Sequence, residues 1–386
     1  MTHSSTFSRT LISSDLSPIT ATIHLPSLAH NLSELRQWIA PSCDILAVVK
    51  ANAYGHGASV VAESLAQLGI QRFGVATVQE GITLRQQGIT QPILVMGGLI
   101  PTQLVELIHH QLTPVITNEE ITHHLSKLIA PHQMPYPVHI KVDTGMQRLG
   151  FSPEKIISFI TSNAFEHILH IEGVMTHLAD ADNYDPEFTR NQLERFQDIL
   201  GQIKHTGHSI EMIHAANSAG IMYHPSSHFT MVRPGLMLYG STPRKSQHSD
   251  IALRPVMKVA THIIHIRSVK AGEVIGYGGS YRTTKSSKIA ILPVGYAHGY
   301  SRSLSNKGTV LIQGKRVPII GKICMDMMLV DVTNLSDPKL GEEVILLGQQ
   351  EQEVISADEI AEWLDTIPYE VMCNIGTRSH HRYETI

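Results

Sequence analysis

The stretch Ile45-Leu-Ala-Val-Val-Lys50-Ala-Asn-Ala-Tyr-Gly-His-Gly57 sets the pattern on which the fold prediction rests. A run of five apolar residues ends at a lysine, and a glycine-containing turn then leads into an amphipathic segment at residues 58–68. A continuous apolar run followed by a turn and a helix-period segment is typical of a βα unit in a parallel sheet. The stretch therefore predicts a buried strand whose carboxyl end presents Lys50.

The same alternation recurs from about residue 26 to residue 235. The predicted strands span residues 44–49, 72–77, 92–97, 114–117, 138–143, 168–177, 210–215 and 229–233. Helical patterns occur at residues 26–39, 58–68, 78–87, 119–129, 153–163 and 186–204. Eight strands in about 210 residues indicate an α/β fold, a (β/α)8 TIM-like barrel. A doubly wound open sheet gives a similar alternation and remains the alternative.

After about residue 245 the pattern changes to β-branched runs separated by turn residues, which predicts a C-terminal, mostly-β domain. Its strands are expected at residues 289–294, 309–313, 317–323 and 344–347, with another at residues 20–24. A late helix is predicted from Ser356 to Ile367, with Glu359 completing a capping box. The expected domains are residues 25–245 and 246–386, with residues 1–24 packing on the second.

Composition points to small-molecule chemistry. A formal net charge of -4 gives no basic surplus for a nucleic-acid backbone. Residues 1–20 lack a signal-peptide pattern, and no apolar run is long enough to span a bilayer. The three cysteines are widely separated, and no HExxH helix occurs. We expect a cytoplasmic protein that uses no metal and binds neither membrane nor nucleic acid.

Polar clusters follow the later predicted strands. They are Lys141 to Arg148, His177, His214 to Ser218, and Arg233 to Leu236. Barrel enzymes place their active sites at the carboxyl ends of the strands, and the loops after the last two strands often bind phosphate. Taken singly, Ser218 fits a helix cap, His177 a buried histidine, and Arg233 an ion-pair partner. Taken together with Lys50, whose amine can form a Schiff base, the clusters predict one site at the barrel mouth.

At this point the residues resemble a known family. Ala47 to Gly57 resembles the cofactor-lysine signature of alanine racemases, which are pyridoxal-phosphate (PLP) enzymes of fold type III. Further similarity extends over nearly the whole chain, at residues 141–151, 214–220, 232–240, 276–278, 295–297, 324–326 and 369–371. The resemblance implies a barrel with a C-terminal β domain, PLP as cofactor, and interconversion of L- and D-alanine.

The resemblance also implies residue roles. Lys50 would hold the cofactor and serve as base on one face of the substrate, with Tyr277 from the partner subunit of a head-to-tail homodimer serving the other. The cofactor-binding residues that it implies are Lys50, Tyr54, His177, Asn217, Ser218, Arg233, Gly235, Leu236 and Tyr369. It places Arg148, Tyr296 and Met325 near the substrate. Lys141 matches a lysine that is carbamylated in some members.

Arg233 has a chemical meaning of its own. A guanidinium keeps its protons, so a pyridine nitrogen facing Arg233 would stay unprotonated. The ring would then be a weak electron sink, which favours racemisation over decarboxylation or transamination.

Three other functions remain open. One is a racemase acting on serine or a broader set of amino acids, and another is a PLP decarboxylase, which Arg233 disfavours. The third is a non-catalytic PLP-binding homeostasis protein, which would resemble the barrel alone and lack the domain that carries Tyr277. The sequence departs from the family at His298, where an aspartate is usual, and in the tail at residues 378–382. We expect the enzyme to supply D-alanine for peptidoglycan.

Overall fold

The computed structural model describes residues 17–162, 167–244 and 251–385. The described residues form two compact units: the barrel unit, residues 24–256, and the β unit, residues 17–23 with 257–384. The expected domain boundary at residues 245 and 246 lies outside the described residues, as do residues 1–16 and Asn163 at the end of one predicted helix.

The barrel unit contains the eight predicted parallel strands. They are β2 (Asp44–Val48), β3 (Arg72–Val75), β4 (Ile93–Val95), β5 (Thr113–Ile116), β6 (Tyr136–Lys141), β7 (Leu169–Met175), β8 (Met212–His214) and β9 (Met231–Val232). Strands β2 to β8 are neighbours in chain order, and β9 pairs with β2. Thr230 N donates to Ile213 O at 3.1 Å and Arg233 N to Ala216 O at 2.9 Å, which joins the last two strands. The barrel is confirmed, and the open sheet is wrong.

Helices separate the strands. They are α1 (Leu25–Trp38), α2 (Lys50–Gly55), α3 (Ala58–Gln67), α4 (Val78–Gln86), α5 (Leu104–His109), α6 (Glu119–Leu128), α7 (Pro153–Thr161), α8 (Glu187–His205) and α9 (Ser218–Tyr223). Six of them match the predicted helical segments. The other three have six residues each. Helices α5 and α9 show too little of the 3.6-residue period to be read from sequence, and α2 is not a right-handed helix, because four of its six residues have left-handed φ and ψ angles.

The barrel unit contains both an apolar cluster and buried histidines. One buried cluster consists of Leu46, Leu94, Val115, Met175, Met212 and Met231. Two histidines, His139 on β6 and His214 on β8, are also buried, at 2% and 0% exposure. Buried polar side chains need hydrogen-bond partners, so these two rings mark a polar network inside the barrel.

The β unit is built on one large sheet. Its strands are β1 (Thr20–His24), β10 (Met257–His262), β11 (His265–Val269), β12 (Val274–Ile275), β13 (Tyr281–Arg282), β14 (Ser287–Leu292), β15 (Thr309–Ile312), β16 (Lys315–Ile320), β17 (Met328–Asp331), β18 (Glu343–Gln350), β19 (Glu353–Ile355) and β20 (His380–Glu384). The sheet order is β11-β14-β17-β16-β15-β18-β10-β1-β20, with β19 beside β18, and β12 pairs with β13 separately. Strand β1 pairs antiparallel with β10, so residues 20–24 lie in this sheet.

Two helices, α10 (Ala357–Leu364) and α11 (Pro368–Thr377), complete the β unit. Ser356 caps α10 as predicted, since its hydroxyl accepts the N–H of Glu359 at 3.0 Å. The predicted capping box is wrong in its second half, because the Glu359 carboxylate binds Arg316, at 2.6 Å, and not the backbone N–H of Ser356. Helix α10 ends before the predicted Ile367 because Asp365 adopts a left-handed conformation. Among the described residues, no helix combines the length and the apolar content needed to cross a bilayer.

Candidate active site

Lys50 lies at the end of β2, at the start of an unusual turn. The four residues Ala51 to Tyr54 all have φ between 51° and 54°, the left-handed region. Each non-glycine residue there costs about 1–2 kcal/mol relative to the right-handed helix. Such conformations persist only where surrounding contacts hold them, and they concentrate at functional sites. The sequence predicted a turn here, but its handedness became visible only in the structure.

A buried aromatic side chain packs under this turn. The Tyr239 hydroxyl donates to Val48 O at 3.0 Å, and its ring centroid lies 4.9 Å from that of Tyr54 and 4.6 Å from that of His56. The Nδ1 atom of His56 lies 2.9 Å from Ala53 O. Tyr239 therefore links the end of β2 to the side chains that follow Lys50.

The loops after β8 and β9 form a cradle of hydroxyl and N–H groups. Ser218 is 3% exposed, and its Oγ accepts the N–H groups of Gly235 at 3.1 Å and Met237 at 3.4 Å. A Cβ at Gly235 would overlap the hydroxyl oxygen of Tyr54, so a larger residue there would displace the Tyr54 ring. The cap of α9 is Asn217, whose Oδ1 accepts the N–H of Gly220 at 2.9 Å. Ser218 is thus not the helix cap, which was its ordinary structural explanation.

This cradle fits a phosphate group. Hydroxyls and backbone N–H groups at loop and helix starts are the usual ligands of phosphate in barrel enzymes. Tyr54, Ser218 and Gly235 come from three separate segments and meet here. Leu236 follows Gly235 and begins a short 3-10 turn at Leu236–Tyr239.

Arg233 is buried and held from several sides. Its Nη2 donates to Thr176 O at 2.8 Å and to Ala215 O at 2.9 Å. The same nitrogen lies 3.3 Å from His177 Nδ1, and Nη1 lies 3.1 Å from His214 Nδ1. Burial lowers the pKa of Arg233 to about 9, which leaves the guanidinium protonated at neutral pH.

The arginine fixes the protonation of the two histidines behind it. A guanidinium can only donate, so His214 Nδ1 must accept and its proton must sit on Nε2. That Nε2 lies 2.8 Å from His139 Nδ1, which therefore accepts in turn. Burial lowers the pKa of His139 and, more strongly, that of His214, so both rings are neutral. A one-way chain of donors runs from Arg233 to His139.

This series of hydrogen bonds ends at a carboxylate. His139 Nε2 lies 3.4 Å from Glu172 on β7, and Glu172 lies 3.7 Å from Arg72 on β3. The hydrogen bond from His139 lowers the pKa of Glu172 against the opposing effect of burial. Sequence reasoning missed His139 and Glu172. The one available signal was a histidine inside the apolar run Val138-His-Ile-Lys141.

Lys141 and Arg148 lie at the two ends of the loop that follows β6. The Asp143 carboxylate accepts the N–H groups of Gly145 at 2.8 Å and Arg148 at 2.9 Å, which orders this loop. Lys141 is 4% exposed. Its pKa is lowered to about 8 by burial and by the positive charges of Arg148 and Arg233. A fraction of its amine is therefore neutral, and so nucleophilic, at physiological pH.

The remaining predicted site residues lie in the β unit. Tyr277 begins a 3-10 turn at Tyr277–Gly279 and is 68% exposed, and Tyr369 lies in the first turn of α11. Tyr296 N donates to Cys324 O at 3.1 Å, which brings the Tyr296 turn beside the Met325 segment. His298 Nδ1 accepts the N–H of Gly295 at 3.2 Å, so this departure from the family pattern closes a turn.

Within the described part of the chain, no group of three or more His, Cys, Asp or Glu side chains could hold a metal ion. The fold and the site define a class: barrel enzymes that bind a phosphate-bearing cofactor beside a lysine at the strand ends. The neighbouring amine fits a cofactor that also carries an aldehyde, since amines and aldehydes form Schiff bases.

Comparison with known proteins identifies the family within this class. Models of the alanine racemase N-terminal and C-terminal domains match residues 23–243 and 256–383. The alanine racemase of Halothermothrix orenii is 41% identical over 368 residues, 95% of this chain and 97% of that protein. The structure of alanine racemase from Clostridium difficile 630 matches with a TM-score of 0.90 at 37% identity and covers 96% of both chains. The alanine racemase from Bartonella henselae, with covalently bound pyridoxal phosphate, gives 0.86 at 31%, covering 95% of this chain and 99% of that one.

The chain belongs to the alanine racemase family. It is a PLP-dependent isomerase that interconverts the enantiomers of alanine. The predicted family, fold, activity and cofactor are confirmed. The match to the C-terminal domain argues against the homeostasis protein, which would share the barrel alone.

Proposed function

We propose that this chain racemises alanine with two bases on opposite faces of the substrate Cα, Lys50 on one face and Tyr277 on the other. The observation that carries the proposal is the buried guanidinium of Arg233, with neutral histidines as acceptors on two sides. A group that only donates keeps a facing pyridine nitrogen unprotonated and limits electron withdrawal by the ring. Such a ring would favour prompt return of a proton to Cα from one of the two bases, which is the requirement for racemisation.

The barrel unit holds the cofactor in this proposal. Pyridoxal phosphate, when bound, supplies an aldehyde for the substrate amine and a ring that withdraws electrons from Cα. Lys50 would provide the amine that attaches it, and His177 would lie against its ring. The phosphate ligands would be Tyr54, Ser218, Gly235 and Leu236, together with Tyr369, which the resemblance to the family assigns to this role. Asn217 supports this set by capping α9 directly before Ser218.

Substrate recognition would use charge first. Arg148 offers a cation for the carboxylate of alanine. The lowered pKa of Lys141, about 8, favours its carbamylation, because carbon dioxide reacts with the neutral amine. The resulting negative charge would pair with Arg148 and hold it in place.

Exposure of the β-unit residues supports a shared active site. Tyr277 is 68% exposed and Met325 55% exposed, which is high for large side chains with a catalytic or substrate-binding role. Exposed large apolar side chains of this kind are suited to burial against a partner chain. We infer a head-to-tail homodimer in which Tyr277, Tyr296 and Met325 complete the partner's site. We further propose that the two domains span residues 25–245 and 246–386. The protein would act in the cytoplasm, and its D-alanine would be used for peptidoglycan.

A chiral assay over a panel of amino acids tests the substrate. Cofactor-loaded protein should convert L-alanine to D-alanine and the reverse, with serine turned over more slowly because Tyr296 and Tyr369 resemble the narrow gate of alanine enzymes. Faster turnover of serine than of alanine would favour the broader racemase. No turnover of alanine would remove the assignment.

Paired variants test the two bases. Tyr277→Phe should block proton removal mainly from L-alanine, whereas Lys50→Ala should abolish cofactor attachment as well as activity. The measurement is solvent-deuterium incorporation from each enantiomer, and equal loss from both in Tyr277→Phe would contradict the roles. Mixed dimers of the two variants should regain activity, since one site then has both bases. Mixed dimers without activity would show that each chain carries a complete site.

A further inference from the structure

We propose that Glu80 is a positioning residue for the reaction, because its carboxylate holds the backbone that follows Lys50. The proposal rests on the role assigned to Lys50 above. Glu80 lies on α4, 30 positions after Lys50 along the chain, and the hydrogen-bond partners of its carboxylate are backbone N–H groups.

One carboxylate accepts three backbone N–H groups from two segments of the chain. Oε1 of Glu80 accepts the N–H of Ala51 at 2.7 Å. Oε2 accepts the N–H of Ala76 at 2.7 Å and that of Thr77 at 3.1 Å. The backbone after β2 is therefore fixed to the connection between β3 and α4 at the barrel mouth.

The chemistry of these contacts requires a carboxylate. All three partners are donors, and an ionised carboxylate has two oxygens that only accept. Hydrogen bonds to an ionised acceptor are shorter and stronger than those between neutral groups, in keeping with the two 2.7 Å distances. A side-chain amide offers one acceptor oxygen and cannot satisfy both sides.

The hydrogen bond between Ala51 and Glu80 is the contact through which Glu80 affects Lys50. It is the first of the four left-handed residues, directly after Lys50. The far end of the turn is held by Asn52, whose Oδ1 accepts the N–H of Ala58 at 2.8 Å. Glu80 holds the near end. A strained backbone that is released relaxes, and an error of about 1 Å in a reacting group can lower a rate about a hundredfold.

Glu80 also belongs to the capping box of α4, and the two roles can be separated. Thr77 Oγ1 accepts the N–H of Glu80 at 3.2 Å. Glutamine serves in a capping box as well as glutamate does. In Glu80→Gln the side-chain oxygen can still accept the N–H groups of Ala76 and Thr77. The amide NH2 then faces the N–H of Ala51, which places two donors together. Thr77→Val is the matched control, because it removes the capping hydroxyl and keeps the carboxylate.

The test compares the full-length, cofactor-loaded variants in three measurements. In Glu80→Gln, we expect hydrogen exchange at the Ala51 amide about tenfold faster or more. The kcat for alanine should fall about tenfold or more in both directions while KM changes less than about twofold, since Arg148 is untouched. Recombination of the apoprotein with pyridoxal phosphate should slow. Thr77→Val should lower Tm and leave all three measurements unchanged.

Two results would overturn the proposal. One is a Glu80→Gln protein with wild-type exchange at Ala51, and the other is a Thr77→Val protein that reproduces the loss of kcat. If Glu80→Gln does not fold, Glu80→Asp, which keeps the charge but reaches less far, should change the measurements in the same directions, and an unchanged Glu80→Asp would count against it. Failure of the wild-type protein to racemise alanine would contradict the proposed function only. Exchange at Ala51 and cofactor recombination would still decide the role of Glu80.

Discussion

Arg233 illustrates how one buried side chain sets the state of its neighbours. Its guanidinium donates to His214, which forces His214 to donate to His139, and that ring in turn faces Glu172. No member of this chain can reverse its direction without placing two donors or two acceptors together. The residue that faces the cofactor nitrogen in our proposal is therefore oriented by contacts that reach through the barrel interior.

Gly173 on β7 leaves the room that His139 needs. A Cβ built on Gly173 would overlap the His139 ring at Nδ1, the atom that faces His214. We expect Gly173→Ala to lower the free energy of unfolding by about 1–3 kcal/mol, the usual effect of overpacking. Urea unfolding measures the change. An unchanged midpoint would show that the His139 ring can move aside without loss of stability, and would contradict the expected overpacking.

At the scale of elements, the loop after β2 shows where sequence reasoning ends. Apolar runs and turn residues predicted β2, α3 and the turn between them, and the structure has all three. The left-handed path at Ala51 to Tyr54 has no signature in residue type, because alanine and tyrosine avoid that region when free to choose. It exists because side-chain contacts hold it: Glu80 and Tyr239 from other segments, and Asn52 through its bond to Ala58.

Helix α8 offers a matched pair of glycines. Gly201 lies inside the helix, and a Cβ there would have no atom within 4 Å. Gly207 follows the helix end and also has open space, but its φ is +88°. We expect Gly201→Ala to stabilise the protein by about 0.5–1 kcal/mol through helix propensity. Gly207→Ala should destabilise it by about 1–2 kcal/mol, because alanine is strained at that φ.

Thermal or urea unfolding of both variants gives the comparison. Each substitution adds the same methyl group to open space, so packing cancels between them. Changes of the same sign would show that backbone conformation does not decide the outcome here.

At the scale of the whole molecule, the buried histidines make stability depend on pH. Burial lowers the pKa of His139 and His214 in the folded protein below the usual 6.5. As pH falls below about 6.5, the unfolded chain binds protons that the folded protein does not, so the free energy of unfolding decreases. The slope is up to about 1.4 kcal/mol per pH unit for each ring. Above this range both rings are neutral in both states, and their contribution is constant.

Urea unfolding of the cofactor-loaded protein at about pH 7.5 and about pH 5.5 tests this dependence. The midpoint should be lower at the acidic value. Glu172, whose pKa is also lowered, adds a further loss only as pH falls below its usual 4.5. A midpoint that stays constant between the two values would mean that the buried rings take up protons without unfolding.

The sequence by itself determined the eight alternating βα units, the separate β-rich segment and the residues at the strand ends, because all of these follow from local patterns. Closure of the strands into a barrel, and not an open sheet, was decided by the pairing of β9 with β2. Apolar runs alternate with helical periods, and Lys50, His177 and Arg233 each follow a strand. The short helices α5 and α9 were not predicted, since six residues show too little periodicity.

Only the tertiary structure decided which side chains support those residues. His139 and His214 are 75 positions apart, and Ala51 and Glu80 are 29 apart. Such pairs leave no trace in a local pattern, because a hydrogen bond depends on distance in space and not on spacing along the chain. The handedness of the turn after Lys50 was decided in the same way, by contacts that overrule the preference of its own residues.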